Sequence, residues 1–323
     1  MTRTDPARPR RNRLARAALG TAAVGAGLAL LSNLLGRDAE RRVPRDGGFV
    51  EVDGATLHYV DQGSGPAVVM VHGLGGQMRN FTYALTERLA ADHRVLVVDR
   101  PGSGYSRAAP GTRPDVRAQG RLIAGFIAAL GLDRPLLVGH SLGGAVSLAA
   151  ALHAPDRIGG LALLAPLTQV QEQVSEAFRL LQRDSAIGRT LVAHTLGVPL
   201  GRLTAPAITK LIFAPDPVPA DFPTRGGGLL ALRPGNMEAA SYEISAANDD
   251  MAALVPRYPE LRLPVSILYG RGDNLLDPDH DGRPTADAIP GATLELIEGG
   301  HMLPVTHPEQ TEAFIRRLEA RTR

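Results

Sequence analysis

Gly139-His140-Ser141-Leu142-Gly143-Gly144 follows the apolar run Leu136 to Val138 and opens a helix. A serine on so sharp a strand-to-helix turn holds a strained backbone. Only very small residues fit two places before and two places after it, and Gly139 and Gly143 stand there. Such a turn presents the Ser141 hydroxyl at the carboxyl edge of a sheet, above a helix N-terminus that favours developing negative charge. A glycine-rich turn with an ordinary N-cap serine reads the same way in isolation, so the motif needs company elsewhere in the chain.

Upstream, His72-Gly73-Leu74-Gly75-Gly76 follows the apolar run Ala67 to Val71. A glycine-rich loop at that place turns a backbone N–H toward the serine. The N–H groups of Leu74 and Leu142 are the expected oxyanion hole. His72, at a strand end, is expected to be structural rather than a base.

Downstream, Tyr269-Gly270-Arg271-Gly272-Asp273 and Gly299-Gly300-His301 each close an apolar run, Val265 to Tyr269 and Thr293 to Ile297. The order Ser141, Asp273, His301 supplies a nucleophile, an acid that fixes an imidazole tautomer, and a general base. Asp277 is the competing acid. Asp273 is preferred because it lies nearer the strand end.

The rest of the body alternates in the same way. Phe49 to Val52 and Thr56 to Val60 flank Asp53-Gly54, a hairpin turn signal. With Val95 to Val98 and Leu161 to Leu164, the apolar runs make eight strands. A helix over Asp115 to Leu130 carries Leu122, Ile123, Phe126, Ile127 and Leu130 on one face. This pattern predicts an α/β fold with a mostly parallel eight-stranded sheet and helices on both faces. Residues 169–261 break the alternation and are expected to form an inserted helical lid. They divide a core of residues 46–168 and 262–323.

From about Phe49 to Ala320 the sequence resembles the α/β-hydrolase superfamily. The resemblance is carried by the His72-Gly73 loop, Asp99-Arg100-Pro101-Gly102-Ser103-Gly104-Tyr105-Ser106, the Ser141 turn, Gly270 to Asp273, and Gly300-His301 with His307-Pro308-Glu309. It implies an esterase- or lipase-like serine hydrolase that cleaves a small or medium apolar carboxylic ester through an acyl-enzyme. It further implies that Asp99 to Ser106 is a structural turn bordering the pocket. Carbon–carbon bond hydrolysis, perhydrolysis and a catalytically weak ligand-binding role remain open. Epoxide hydrolases and haloalkane dehalogenases place Asp where this chain has Ser141, and this chain has no Trp to hold a halide.

Composition narrows the field further. With no cysteine among 323 residues, disulfides, thiolate metal sites and a Cys nucleophile are excluded. The histidines lack paired metal-ligand spacing and the glycine-rich loops lack a nucleotide fingerprint, so neither metal nor cofactor is expected. Net charge is +2, yet residues 1–45 hold ten Arg against Asp5, Asp38 and Glu40. The body is therefore mildly acidic, which gives no footprint for nucleic acid.

The basic end surrounds nineteen uncharged residues, Ala17 to Leu35. As a helix they span roughly 28 Å, close to a bilayer's hydrocarbon thickness. A single uncleaved membrane anchor is the expectation for residues 1–45. Six Arg precede the run, so the positive-inside rule leaves the N-terminus in the cytoplasm and the body outside it. A cleaved secretory signal, which would leave the body secreted, and a non-membrane basic tail are the alternatives.

Overall fold

The computed structural model describes residues 8–173, 175–183 and 185–322. Arg3 and Asp5 of the basic flank lie outside them. The first helix is α1 (Arg8–Arg42). The strands are β1 (Gly48–Val52), β2 (Ala55–Gln62), β3 (Ala67–Val71), β4 (Arg94–Val98), β5 (Leu136–His140), β6 (Gly160–Leu164), β7 (Val265–Gly270) and β8 (Thr293–Ile297). Between β4 and β5 lies α2 (Val116–Ala129), and α3 (Leu142–His153) follows β5. Between β6 and β7 lie α4 (Ala186–Val192), α5 (Val198–Phe213) and α6 (Pro234–Leu254), and α7 (Pro308–Glu319) is the last helix.

The eight strands form one sheet in the order β1-β2-β4-β3-β5-β6-β7-β8. β1 with β2 and β2 with β4 pair antiparallel, and every later pair is parallel. The β1–β2 hairpin turns at Asp53 (φ 48°) and Gly54 (φ 78°), both left-handed as a two-residue turn requires. The runs that become β3 to β6 are continuous rather than alternating because helices cover both faces. On one face α2 buries Leu122, Ile123, Phe126 and Ile127 beside α3. On the other, Phe81, Leu85 and Leu89 meet Phe314, Ile315 and Leu318 of α7. Burying one such Leu or Phe stabilises the fold by about 1.5–3 kcal/mol. Asp115 starts α2 by accepting from the Ala118 N–H at 2.7 Å.

The N-terminal helix departs from the sequence reading in two respects. It runs well past Ala17–Leu35 at both ends, because the flanks are rich in Arg, a good helix former, and it stops just before Pro44. Its final turns also pack on the body, which the reading of residues 1–45 as an anchor does not include. Ser32, Ala39 and Val43 are fully buried, and Ala39 and Val43 pack on Leu229 and Leu230. Ser32 Oγ donates to the Thr195 carbonyl (2.6 Å), and Arg202 donates to the Leu35 carbonyl (2.9 Å). Arg233 pairs with Glu40 at 2.7 Å.

Candidate active site

The turn after β5 puts Ser141 at φ 55°, ψ −124°, outside the comfortable range of a side-chain-bearing residue. The surrounding chain over-determines this conformation. Ser141 N–H donates to the Leu164 carbonyl, and the Ser141 carbonyl accepts from Gly144 and Leu167. A Cβ on Gly143 would collide with the carbonyls of Val71 and His72. A Cβ on Gly73 would sit 2.8 Å from Ser141 Cβ, so glycine lets the loop after β3 reach the serine.

Asp273 and His301 close the neighbouring strands β7 and β8 at the same edge of the sheet. His301 Nδ1 lies 2.8 Å from Asp273 Oδ2, with both side chains almost wholly buried. Asp273 Oδ1 accepts from the N–H groups of Leu275 (2.9 Å) and Leu276 (3.1 Å), which fixes the plane of the carboxylate. Asp277 has a different task. Its Oδ1 accepts from Asp279 N–H and starts the following turn. With Nδ1 donating to Asp273, His301 keeps Nε2 as its basic nitrogen.

Ser141 and His301 line two adjoining cavities together with Leu74. The larger, about 240 Å³, is walled by Leu181, Val192, Leu200, Ile208 and Phe222, with Arg183 and Arg189 also on its wall. The smaller, about 110 Å³, adds Leu142, Gln171, Ser175 and Asn248. The serine therefore sits between an apolar compartment and a smaller, more polar one. Leu142 heads α3, so its N–H has no carbonyl partner inside that helix. Among the described residues no group of three or more His, Asp and Glu side chains is gathered as metal ligands would be.

Sequence reasoning missed two supports of the site. The first is Arg100, fully buried behind the loop after β3. Its guanidinium donates to the carbonyls of His72 (2.8 Å) and Gly73 (2.9 Å), to Gln119 (2.8 Å) and to the carboxylate of Glu243 on α6. One residue thus ties the backbone before Leu74 to the inserted helices. His72 completes this knot: Nε2 accepts from Arg100 N–H (2.9 Å) and Nδ1 lies 2.8 Å from the Gly73 carbonyl. Burial, reinforced by the Arg100 charge, pushes the His72 pKa down to about 3, so it stays neutral.

The second is His140, beside Ser141 in the turn after β5. Its Nε2 donates to the His301 carbonyl at 2.9 Å, and the two rings lie 4.9 Å apart. Burial, with the neighbouring His301, lowers its pKa to about 3. A histidine between Gly139 and Ser141 was the available signal, but nothing local showed that it would reach the loop after β8.

Comparison with known proteins agrees with this architecture. A family model described as alpha/beta hydrolase fold matches residues 66–308. A 2-hydroxy-6-oxononadienedioate/2-hydroxy-6-oxononatrienedioate hydrolase of Dechloromonas aromatica is 37% identical over 275 residues, covering 80% of this chain and 89% of its own. Its counterpart in Burkholderia vietnamiensis is 30% identical over 276 residues, covering 81% and 91%. Among solved structures, a membrane phospholipase A described as a bacterial virulence factor superposes with a TM-score of 0.64 at 23% identity. That match covers 96% of this chain and 99% of the other.

Proposed function

This chain belongs to the α/β-hydrolase fold family, and from that premise we propose that it is a membrane-anchored serine hydrolase cleaving a carboxylic ester through an acyl-enzyme. Ser141 Oγ attacks the ester carbonyl while His301 Nε2 takes its proton. Asp273 stabilises the imidazolium that forms. The carbonyl oxygen becomes an oxyanion held by the N–H groups of Leu74 and Leu142. Collapse breaks the carbon–oxygen bond, and His301 returns the proton to the departing alcohol. Water then attacks the acyl-Ser141, giving its proton to His301, and the acid leaves as the serine is restored.

The observation that carries this reading is the His301–Asp273 bond of 2.8 Å, on a cavity that also holds Ser141 in its strained turn. The apolar wall of the larger cavity favours an acyl chain as occupant. The short-chain esterase screen that tests it uses p-nitrophenyl esters of graded length, with turnover lost in Ser141→Ala.

Carbon–carbon bond hydrolysis is the second reading, favoured by the names of the two dienedioate hydrolases described above. A dienedioate brings two carboxylates, and Arg183 and Arg189 are the cations it would meet on the cavity wall. Turnover of a 2-hydroxy-6-oxodienoate with no turnover of any ester would decide for it. For location, α1 is the one described helix long and apolar enough to cross a membrane. We read it as an uncleaved anchor with the hydrolase body outside the cytoplasm. Cleavage and secretion is the alternative.

A further inference from the structure

The outer surface of the helices inserted between β6 and β7 is apolar where a soluble protein is usually polar. Ile187 and Leu191 on α4, Leu196 in the wide turn joining α4 to α5, and Leu203 on α5 are exposed, Ile187 by 82% and Leu203 by 78%. Single exposed leucines are ordinary, but several on one short stretch mark an interaction surface. The inner side of the same stretch walls the larger cavity through Val192, Ala193, Gly197, Gly201 and Ala205. One helical layer therefore separates the cavity beside Ser141 from whatever covers the outside.

The docking of α1 indicates what that is. Thr195, whose carbonyl accepts from Ser32, is the neighbour of Leu196. Arg202, which donates to the Leu35 carbonyl, is the neighbour of Leu203. Ser32 and Leu35 belong to the last turn of the apolar run that begins at Ala17. At about 1.5 Å per residue, Ser32 lies roughly 5 Å from the end of that run. If the run crosses a bilayer, Leu196 and Leu203 are held at the edge of the hydrocarbon. On α1 itself Leu30, Leu31 and Leu34 are exposed as well.

We infer that the outer face of α4 and α5 seats in the lipid bilayer beside α1, and that the substrate is an acyl-bearing amphiphile of that bilayer whose chain occupies the larger cavity. The second half rests on the serine-hydrolase reading. The first half rests only on the docked α1 and the leucines around it. In this arrangement the acyl chain passes from one apolar medium to another, so its transfer through water, costly in proportion to its length, is avoided.

The absence of cysteine allows a direct test. The full chain, carrying Leu203→Cys or Asp133→Cys, is labelled with bimane and reconstituted in phosphatidylcholine vesicles with or without bromine on the acyl chains. Asp133 is exposed before β5, at the opposite edge of the sheet. Brominated lipid is expected to quench the label at residue 203 at least threefold and to leave that at 133 unchanged. Equal, weak quenching at both overturns the membrane seat. Excimer emission from the same Leu203→Cys chain labelled instead with pyrene, without lipid quenching of the bimane, also overturns it, since a second copy would then cover the face. For the substrate, the Leu191→Glu/Leu203→Glu variant is expected to lose tenfold or more of its hydrolysis of phosphatidylcholine vesicles and to keep its rate on a soluble short-chain p-nitrophenyl ester. A wild-type enzyme that cleaves the soluble ester but no vesicle lipid, or a variant that loses both rates or neither, overturns the bilayer substrate. A wild type inactive on both overturns the hydrolase reading and the substrate with it, while the quenching still decides the face.

Discussion

His301 Nδ1 and Asp273 Oδ2 stand 2.8 Å apart with both side chains buried, and the other oxygen of the carboxylate is pinned by two backbone N–H groups. The imidazole is therefore locked with its basic nitrogen free. Asp273→Asn keeps the size but offers an amide N–H where an acceptor is needed, turning the ring to the wrong tautomer. We expect kcat to fall by on the order of 10⁴, as in the serine-protease acid. Asp277→Asn, at a turn-capping position, should cost less than tenfold. Steady-state kinetics of the two variants on one ester checks both.

Arg100 and Glu243 form a fully buried ion pair between the core and α6. Removing one charge leaves the other buried without its counter-charge, which costs about 3–5 kcal/mol. Glu243→Leu and Arg100→Met should each lower stability by that amount in urea unfolding. The double variant should recover part of it. Arg100→Met should also depress kcat more than it raises KM, because the guanidinium positions the carbonyls of His72 and Gly73 beside Leu74.

Two buried histidines set an acid limit. His72 and His140 are held neutral in the folded protein by burial, with pKa values near 3 against 6.5 for the free side chain. Between those values the unfolded chain takes up protons that the folded chain refuses. Their contribution is thus fully present above about pH 6.5 and is lost as pH falls toward 3, with a slope of up to about 1.4 kcal/mol per pH unit for each. Urea midpoints measured from pH 7 to pH 4 should fall steadily, and less steeply in His140→Gln.

The docking of α1 sets where the chain can be cut. Removal of residues 1–27 takes away most of the apolar run and retains Ser32, Ala39 and Val43. Removal of residues 1–45 uncovers Leu229 and Leu230 and deletes the Val43 carbonyl that accepts from Tyr105 at 2.6 Å. We expect full-length protein to remain in carbonate-washed membranes. The longer deletion should melt several degrees below the shorter one, as the loss of two or three buried groups implies. Equal melting points would show that the last turns of α1 contribute nothing to the body.

The strands and turns were legible because their chemistry is local. A short apolar run defines each strand, Asp53-Gly54 defines the hairpin, and the glycines around Ser141 define its turn. The same local signals pointed to Asp273 and His301, whose side chains the fold brings within 2.8 Å at the ends of the neighbouring strands β7 and β8. What stayed hidden is non-local. Arg100 meets Glu243 across 143 positions, and His140 meets His301 across 161. Neither partner carries a mark of the other. The seat of α1 was hidden for the same reason, since Ser32 and Ala39 look like any small residues of an apolar helix until Thr195 and Leu229 are placed against them.

The central claim is that Ser141 is the nucleophile of a serine hydrolase. It is tested most directly by treating the full-length protein with a fluorophosphonate and mapping the adduct by peptide mass spectrometry. The account predicts a single adduct on Ser141, with loss of both labelling and ester turnover in Ser141→Ala at an unchanged melting temperature. An unlabelled Ser141, or turnover retained by a folded Ser141→Ala protein free of contaminating esterase, would contradict it.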